Sequence, residues 1–273
     1  MKKVILSADD FGRSNERNMA IDHAFKQGLI KSAGLIVNTK YTEEAVNMAV
    51  AGGYLSLLHC HFNTSSNIHS GGGGLPVSEN MSKDTIWCKD GKFRDTVKHS
   101  CDILFIHSNV IFGELEAQFQ KFVDITRGEA NNTHVDFHLY HNLHLSTAWA
   151  LRKFINHHDI QSARYIGIEK QHNIKLVTRL RQIISLNILK TAKIKNPLTK
   201  NIKSSNINYF LRKPEVMNTD IIELYCHPDC IDGELMDNSI SVFGDQIMSL
   251  KEHIAAINRT CKCEFLSWKD ISI

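Results

Sequence analysis

The sequence has no apolar stretch approaching the roughly 18 residues that a membrane-spanning helix requires. Its charges nearly cancel, with 32 basic against 29 acidic residues. The first absence argues against a membrane partner, and the second removes any general electrostatic argument for a nucleic acid. A cysteine framework is also missing. Seven cysteines, an odd number, are scattered along 273 residues, which fits reduced thiols in the cytoplasm rather than a disulfide scaffold. The only close pair, Cys261 and Cys263 in "CKC", lacks a second Cys/His pair nearby and reads as part of a strand. The opening "MKKVILSADD" looks superficially like a signal peptide, but its apolar run is too short for an h-region and two acids close it. It is a first strand. No internal repeat and no interdomain linker stand out.

Histidine is what the chain has in plenty, with 15 residues, several in tight clusters. It is the commonest metal ligand and the usual general acid or base near neutral pH. Strands and helices alternate from the start. "KVILSAD" is followed by a helix from about Asn15 to Gln27, capped by Ser14 and stopped by Gly28. "SAGLIVN", Ser32 to Asn38, reads as a second strand. Thr42 caps a second helix that ends at Gly52 and Gly53, and "LSLLHCHF", Leu55 to Phe62, is a third strand. Short joints between such elements imply parallel strands covered by helices.

A polar, Gly-rich insertion at about 64–100 interrupts that rhythm. It is too long for a routine βα loop. It reads either as a mobile loop over the cleft, hinged at Gly71 to Gly74, or as a surface loop without a role. A helix over "GELEAQFQKFVDI", a strand over "HVDFHLYH", a helix over "ALRKFINHH" and a strand over "SARYIGI" follow. The basic segment at about 171–214 reads as a solvated helical insertion. "DIIELYCHPD" and "CEFLSWKD" supply the last strands. About seven βα units point to an α/β single domain that is barrel-like, irregular or incompletely closed.

Four strands carry polar chemistry at or near their ends: Asp9 and Asp10 on the first, His59 and His61 on the third, Asp136 and His138 on the fifth, His227 on the sixth. Each alone has a structural reading, a hydrogen-bonded histidine or a turn-forming acid. Together they would converge on one rim, because active-site groups in α/β folds gather at the C-terminal ends of strands. Histidine and aspartate from separate strands suit a divalent cation with open positions for water and substrate. Such a cation acidifies a water and polarises a carbonyl; a further carboxylate takes the proton, and a histidine protonates the leaving amine. Adjacent residues at a strand end point apart, so one acid of "DD" can bind metal while the other faces the water.

Several motifs occur in order: "SADDFG" followed by "IDHAFKQGLIKSAGLIVN", then "LHCHFN", "DGKFRD", "ELEAQFQKF", "THVDFH" and "IELYCHP". They resemble the YdjC-like carbohydrate deacetylase family, which is similar to chitooligosaccharide deacetylases. The resemblance covers almost the whole chain, read as one domain over residues 1–273. It implies a distorted (β/α) barrel of the polysaccharide-deacetylase and glycoside-hydrolase-like type, and one divalent metal ion, zinc or magnesium. The implied reaction is removal of an acetyl group from an N-acetylated sugar, a small oligosaccharide such as a chitooligosaccharide.

Carried over by residue, the resemblance implies Asp10, His61 and His138 as metal ligands, Asp9 as catalytic base and His227 as general acid. His59, Asp136, Glu223 and His141 would stand behind the ligands or touch substrate. His59 takes a place where the family usually has a small residue; it reads as an extra ligand, a substrate contact or a neutral change. Tyr140 stands at the second position of the family's His-x-His. Glu223 would pair with His227 or with another buried cation. The segment at 171–214 matches the family poorly and would hold substrate selectivity. The expected partner is a small carbohydrate, with no nucleic acid or membrane, and homodimer formation is left open. Two other readings compete: a metal-dependent hydrolase of another amide or ester, and a non-catalytic carbohydrate-binding protein on the same fold. Asp9 discriminates, since a pure binding site needs no base beside its ligands.

Overall fold

The first strand, β1 (Lys2–Phe11), is buried from Val4 onward, as the central strand of a parallel sheet must be. It is described here in a computed structural model covering residues 2–65, 74–94, 107–138, 144–164, 176–192, 194, 198–201, 211–212, 216, 218, 221–237, 249–260 and 262–271. After β1 come α1 (Asn15–Lys26), β2 (Ser32–Leu35), α2 (Thr42–Gly52), β3 (Leu58–Phe62), α3 (Glu79–Lys83), β4 (Cys88–Lys89) and β5 (Lys92–Phe93). The middle of the chain forms α4 (Ser108–Ile125), β6 (Asn131–Phe137), α5 (Leu145–His157), β7 (Ser162–Ala163), α6 (Leu176–Lys190) and β8 (Leu198–Asn201). The last elements are β9 (Ile221–Cys226), β10 (Pro228–Ile231), β11 (Glu234–Asp237), α7 (Leu250–Thr260) and β12 (Cys263–Leu266).

Eight strands make one parallel sheet in the order β7-β6-β3-β2-β1-β9-β8, with β12 also on β1. One edge of β1 is shared. Lys2–Ile5 lies against Cys263–Leu266, and β2 takes over from Ser7. β9 runs along the other edge, Lys3–Ala8 against Ile221–Cys226. The sheet curls into a half-barrel, and among the described residues its end strands, β7 and β8, do not pair with each other. The eight strands of this sheet all run the same way, so their C-terminal ends share one rim, while β4–β5 and β10–β11 form separate antiparallel pairs. No helix among the described residues is long and apolar enough to cross a membrane.

Several boundaries differ from the sequence expectation. β2 stops at Leu35 rather than Asn38, because the Thr42 hydroxyl donates to the Ile36 carbonyl and draws the chain out of the sheet. For the same reason Thr42 is the first helical residue of α2 rather than its cap, which is Tyr41. Residues Leu55–Leu57 form a 3-10 turn before β3, anchored by Tyr54, whose ring stacks on Phe25 and whose hydroxyl donates to Asp22. Ser14 does cap α1, accepting from the Arg17 amide.

The Gly-rich insertion has a fixed base. Buried Glu114 on α4 accepts from the Val77 and Ser78 amides and from Gln118, which also bonds the backbone of Asn63. The proposed hinge at Gly71–Gly74 falls largely outside the described residues. Gly74 itself is packed: a Cβ there would sit 2.2 Å from Asn63 Nδ2, so the glycine permits a close approach. The segment at 171–214 is more than an insertion. α6 buries Ser185 and Leu189 while exposing Leu176 and Val177, and β8 pairs with β9 to extend the main sheet.

Candidate active site

The "DDFG" turn builds the rim. Asp10 has φ 72°, a left-handed conformation, and Gly12 follows at φ 88°. A Cβ on Gly12 would lie 2.5 Å from the Ile36 carbonyl oxygen, so only glycine lets β1 and β2 approach there. Between Ala8 and Phe11 the β1–β2 register shifts. This break in the pleat sends the two carboxylates into different surroundings.

Asp10 meets His61 and His138. Its Oδ1 lies 2.7 Å from His138 Nδ1 and 3.6 Å from His61 Nε2. The three donor atoms all fall within 4.8 Å of one another, and all three residues are buried. His61 Nε2 is buried and makes no hydrogen bond, while Asp10 Oδ1 pairs with His138 Nδ1. Three donor atoms converging in a buried site, with His61 Nε2 left without a hydrogen bond, are what a cation site needs. The donor set, two imidazoles and one carboxylate, fits a divalent transition ion. Behind the ligands, His61 Nδ1 lies 2.5 Å from Asp136 Oδ1. That contact assigns the proton to Nδ1 and leaves the Nε2 lone pair toward the cation position. Gly34 on β2 makes room for the ring, since a Cβ there would come within 3.0 Å of His61. Arg13 Nη1 holds the other Asp10 oxygen at 2.6 Å.

Asp9 turns to Arg164 while keeping an oxygen within 4.8 Å of a His61 ring nitrogen. Arg164, just past β7, grips the carboxylate with two hydrogen bonds, Nη1 to Oδ2 at 2.8 Å and Nη2 to Oδ1 at 2.7 Å. The same guanidinium touches Asp136 and lies 3.4 Å from Glu223 Oε1. Its own position is set by the Arg164 amide, which donates to the Val135 carbonyl across to β6. Burial alone would raise the Asp9 carboxyl, but the charge and hydrogen bonds of Arg164 outweigh it and hold it below the usual range. For Asp10, burial is likewise outweighed by His138 and His61, which hold it well below that range. Burial lowers Arg164, but Asp9 and Glu223 more than compensate, so it stays protonated.

His227 leaves β9 at the same rim and enters the β10–β11 hairpin; its amide donates to Asp237 Oδ1 at 2.9 Å. Its pKa is lowered by burial, with the Asp10 and Asp9 charges pulling the other way. Glu223, expected to pair with His227 or another buried cation, lies deeper, beside Arg164 and 3.8 Å from His134 Nε2. His59 is fully buried under His61. Its ring spans Ser32 Oγ and Asp136 Oδ2, 3.2 Å from each, so both nitrogens are already engaged. His134 bonds Ser162 Oγ at 2.6 Å and stacks on Trp268 with centroids 3.7 Å apart. His59, His134 and Asp136 also bring donor atoms together, but the Arg164 guanidinium on Asp136 disfavours a cation there. His141 and Tyr140 lie outside the described residues.

Arg164 is the residue the sequence reading missed. A single cation directly after the small residues of β7, in "SAR", in a chain with several strand-end acids, was the available signal. Around the ligand trio stand three more buried carboxylates, Asp9, Asp136 and Glu223, and two guanidinium groups, Arg13 and Arg164.

Comparison with known proteins follows the same lines. The chain is 28% identical over 281 residues to a carbohydrate deacetylase of Clostridium beijerinckii, covering 98% of this chain and all of that protein. A chitooligosaccharide deacetylase of Salmonella typhimurium is 29% identical over 142 residues, about half of each chain. Among solved structures, one described as a cellobiose-phosphate cleavage protein of Enterococcus faecalis superposes with a TM-score of 0.61, over 85% of this chain and 82% of the other. At 18% identity that likeness bears on the fold alone. Residues 3–268 match the family model described as YdjC-like protein. With the match running from β1 to the turn after β12, the chain belongs to the YdjC-like family.

Proposed function

We propose that this protein removes an acetyl group from a small N-acetylated sugar, using a divalent cation held by Asp10, His61 and His138. Family membership makes it an enzyme of the carbohydrate deacetylase kind rather than a sugar-binding protein. The observation that carries the metal reading is the convergence of three buried donor atoms, from Asp10, His61 and His138, within 4.8 Å of one another. A cation there would supply Lewis acidity, lowering the pKa of water and polarising the amide carbonyl. Two imidazoles and a carboxylate favour zinc over magnesium. The half-barrel is read as part of a distorted (β/α) barrel whose rim admits the sugar, and free cysteines such as Cys60 and Cys226 suit a cytoplasmic home.

The chain's own residues supply the rest. Asp9, kept ionised by Arg164, accepts the proton of the attacking water; each of its oxygens has a second lone pair beyond the one Arg164 uses. Its low proton affinity makes it a modest base. His227, neutral at rest, takes up a proton as negative charge grows beside it and passes it to the departing amine. Asp136 holds the His61 tautomer, and Arg164 holds Asp9 and Asp136 in register.

The test couples metal content to acetate release from N-acetylated sugars. Alanine at Asp10, His61 or His138 should strip metal and activity together. Full metal occupancy in a His138→Ala protein would sink the ligand assignment.

A further inference from the structure

α4 and α5 pack together outside the sheet, and their seam carries three donor side chains that the reaction does not use. His158, which closes α5, directs Nε2 at Glu116 Oε1 of α4, 2.8 Å away. Its ring is wedged beside Phe154 and Phe119, with centroids 4.4 and 5.0 Å apart. The imidazole is therefore held in place before any ligand arrives. Exposed His157 stands across from it, ring centroids 5.0 Å apart at 83°. One donor atom from each of the three lies within 4.8 Å of the others.

We propose that Glu116, His157 and His158 form a second cation site, for a divalent transition ion such as zinc. Bond lengths of about 2.0–2.2 Å to imidazole nitrogen and carboxylate oxygen put tetrahedral ligand atoms roughly 3.3 Å apart. Side-chain adjustment at the exposed His157 and at Glu116 reaches that spacing. Two imidazoles and one carboxylate select zinc, nickel or cobalt over magnesium and calcium. The site sits at the C-terminus of α5, where the helix dipole favours positive charge. Lys153, whose Nζ lies 4.1 Å from the Phe112 ring that borders His157, opposes it and keeps the affinity moderate.

The site is separate from the catalytic one. α5 returns the chain from the end of β6 to the start of β7, so its C-terminus lies where the strands begin, opposite the rim of Asp10. A cation there fastens the end of α5 to α4 without touching the reaction, and the surface position gives the ion direct entry.

Equilibrium dialysis of metal-stripped protein against zinc, with bound metal counted by mass spectrometry, reads the site directly. Wild-type protein should bind two ions per chain, Asp10→Ala one, and Asp10→Ala with His157→Ala none. His157→Ala and Glu116→Gln, which leave the packed imidazole intact, should each weaken the second ion at least about tenfold. Acetate release should stay at the wild-type rate in both. A wild-type ion count that His157→Ala leaves unchanged, or equal zinc uptake by Asp10→Ala with and without His157→Ala, overturns the proposal; a single wild-type ion that His157→Ala removes would instead count against the Asp10 site.

Discussion

At Asp10 the backbone adopts a left-handed conformation, φ 72°, that costs a non-glycine residue about 1–2 kcal/mol. The return is that neighbouring carboxylates do different work: Asp10 faces His61 and His138, while Asp9 faces Arg164. Asp9→Asn should therefore keep the metal while acetate release falls on the order of 100- to 10,000-fold. A variant that lost metal but turned over normally on reconstitution would mean the two roles are exchanged. The buried histidines behind them make a second residue-scale prediction. Burial, with Arg164 nearby, holds His59 and His134 well below the free value of 6.5. Below that pH the unfolded chain takes up protons that the folded chain refuses. The stability of the neutral rings is thus complete above about pH 6.5 and is lost as pH falls. The melting temperature of metal-free protein should decline from about pH 6.5 downward, and His134→Gln should flatten the decline. An unchanged slope would place the titrating group elsewhere. At this scale the sequence displays the acids and histidines, whereas the group that grips Asp9 is Arg164, remote from it in the chain.

Elements were legible where one local signal sufficed. Val4 to Ala8 reads as a buried strand because both faces are apolar, and Ser14 announces α1 by its capping hydroxyl. The ends were less so, because they depend on contacts from elsewhere: β2 ends where Thr42 captures the Ile36 carbonyl. The stretch entering α3 (Glu79–Lys83) depends on Glu114, which satisfies two backbone amides, Val77 and Ser78, from a different helix. Glu114→Gln replaces an acceptor with a donor facing those amides. It should destabilise the protein by about 1–3 kcal/mol and speed hydrogen exchange across residues 75–83 more than in β1. Uniform exchange changes would show that Glu114 supports the whole core rather than this segment.

Over the whole molecule, the chain closes on its own beginning. β12 pairs with the first half of β1, and Trp268, just beyond it, stacks on His134 beneath the site. Trp268→Ala should cost about 3–5 kcal/mol as a large buried ring and also weaken zinc binding, measured by competition with a chelator, because the layer under Asp136 loosens. Lost stability with unchanged zinc affinity would confine Trp268 to packing.

Composition, periodicity and the order of short motifs determined by themselves that this is an α/β chain with parallel strands, acids and histidines at their ends, and a YdjC-like pattern throughout. Those properties reside in runs of a few residues, so they survive without knowledge of neighbours. The arrangement of charge was decided only in three dimensions. Arg164 reaches Asp9 across 155 positions, and its carboxylate partners come from β1, β6 and β9. Which strands lie side by side follows from packing of the entire sheet, and no local pattern encodes it.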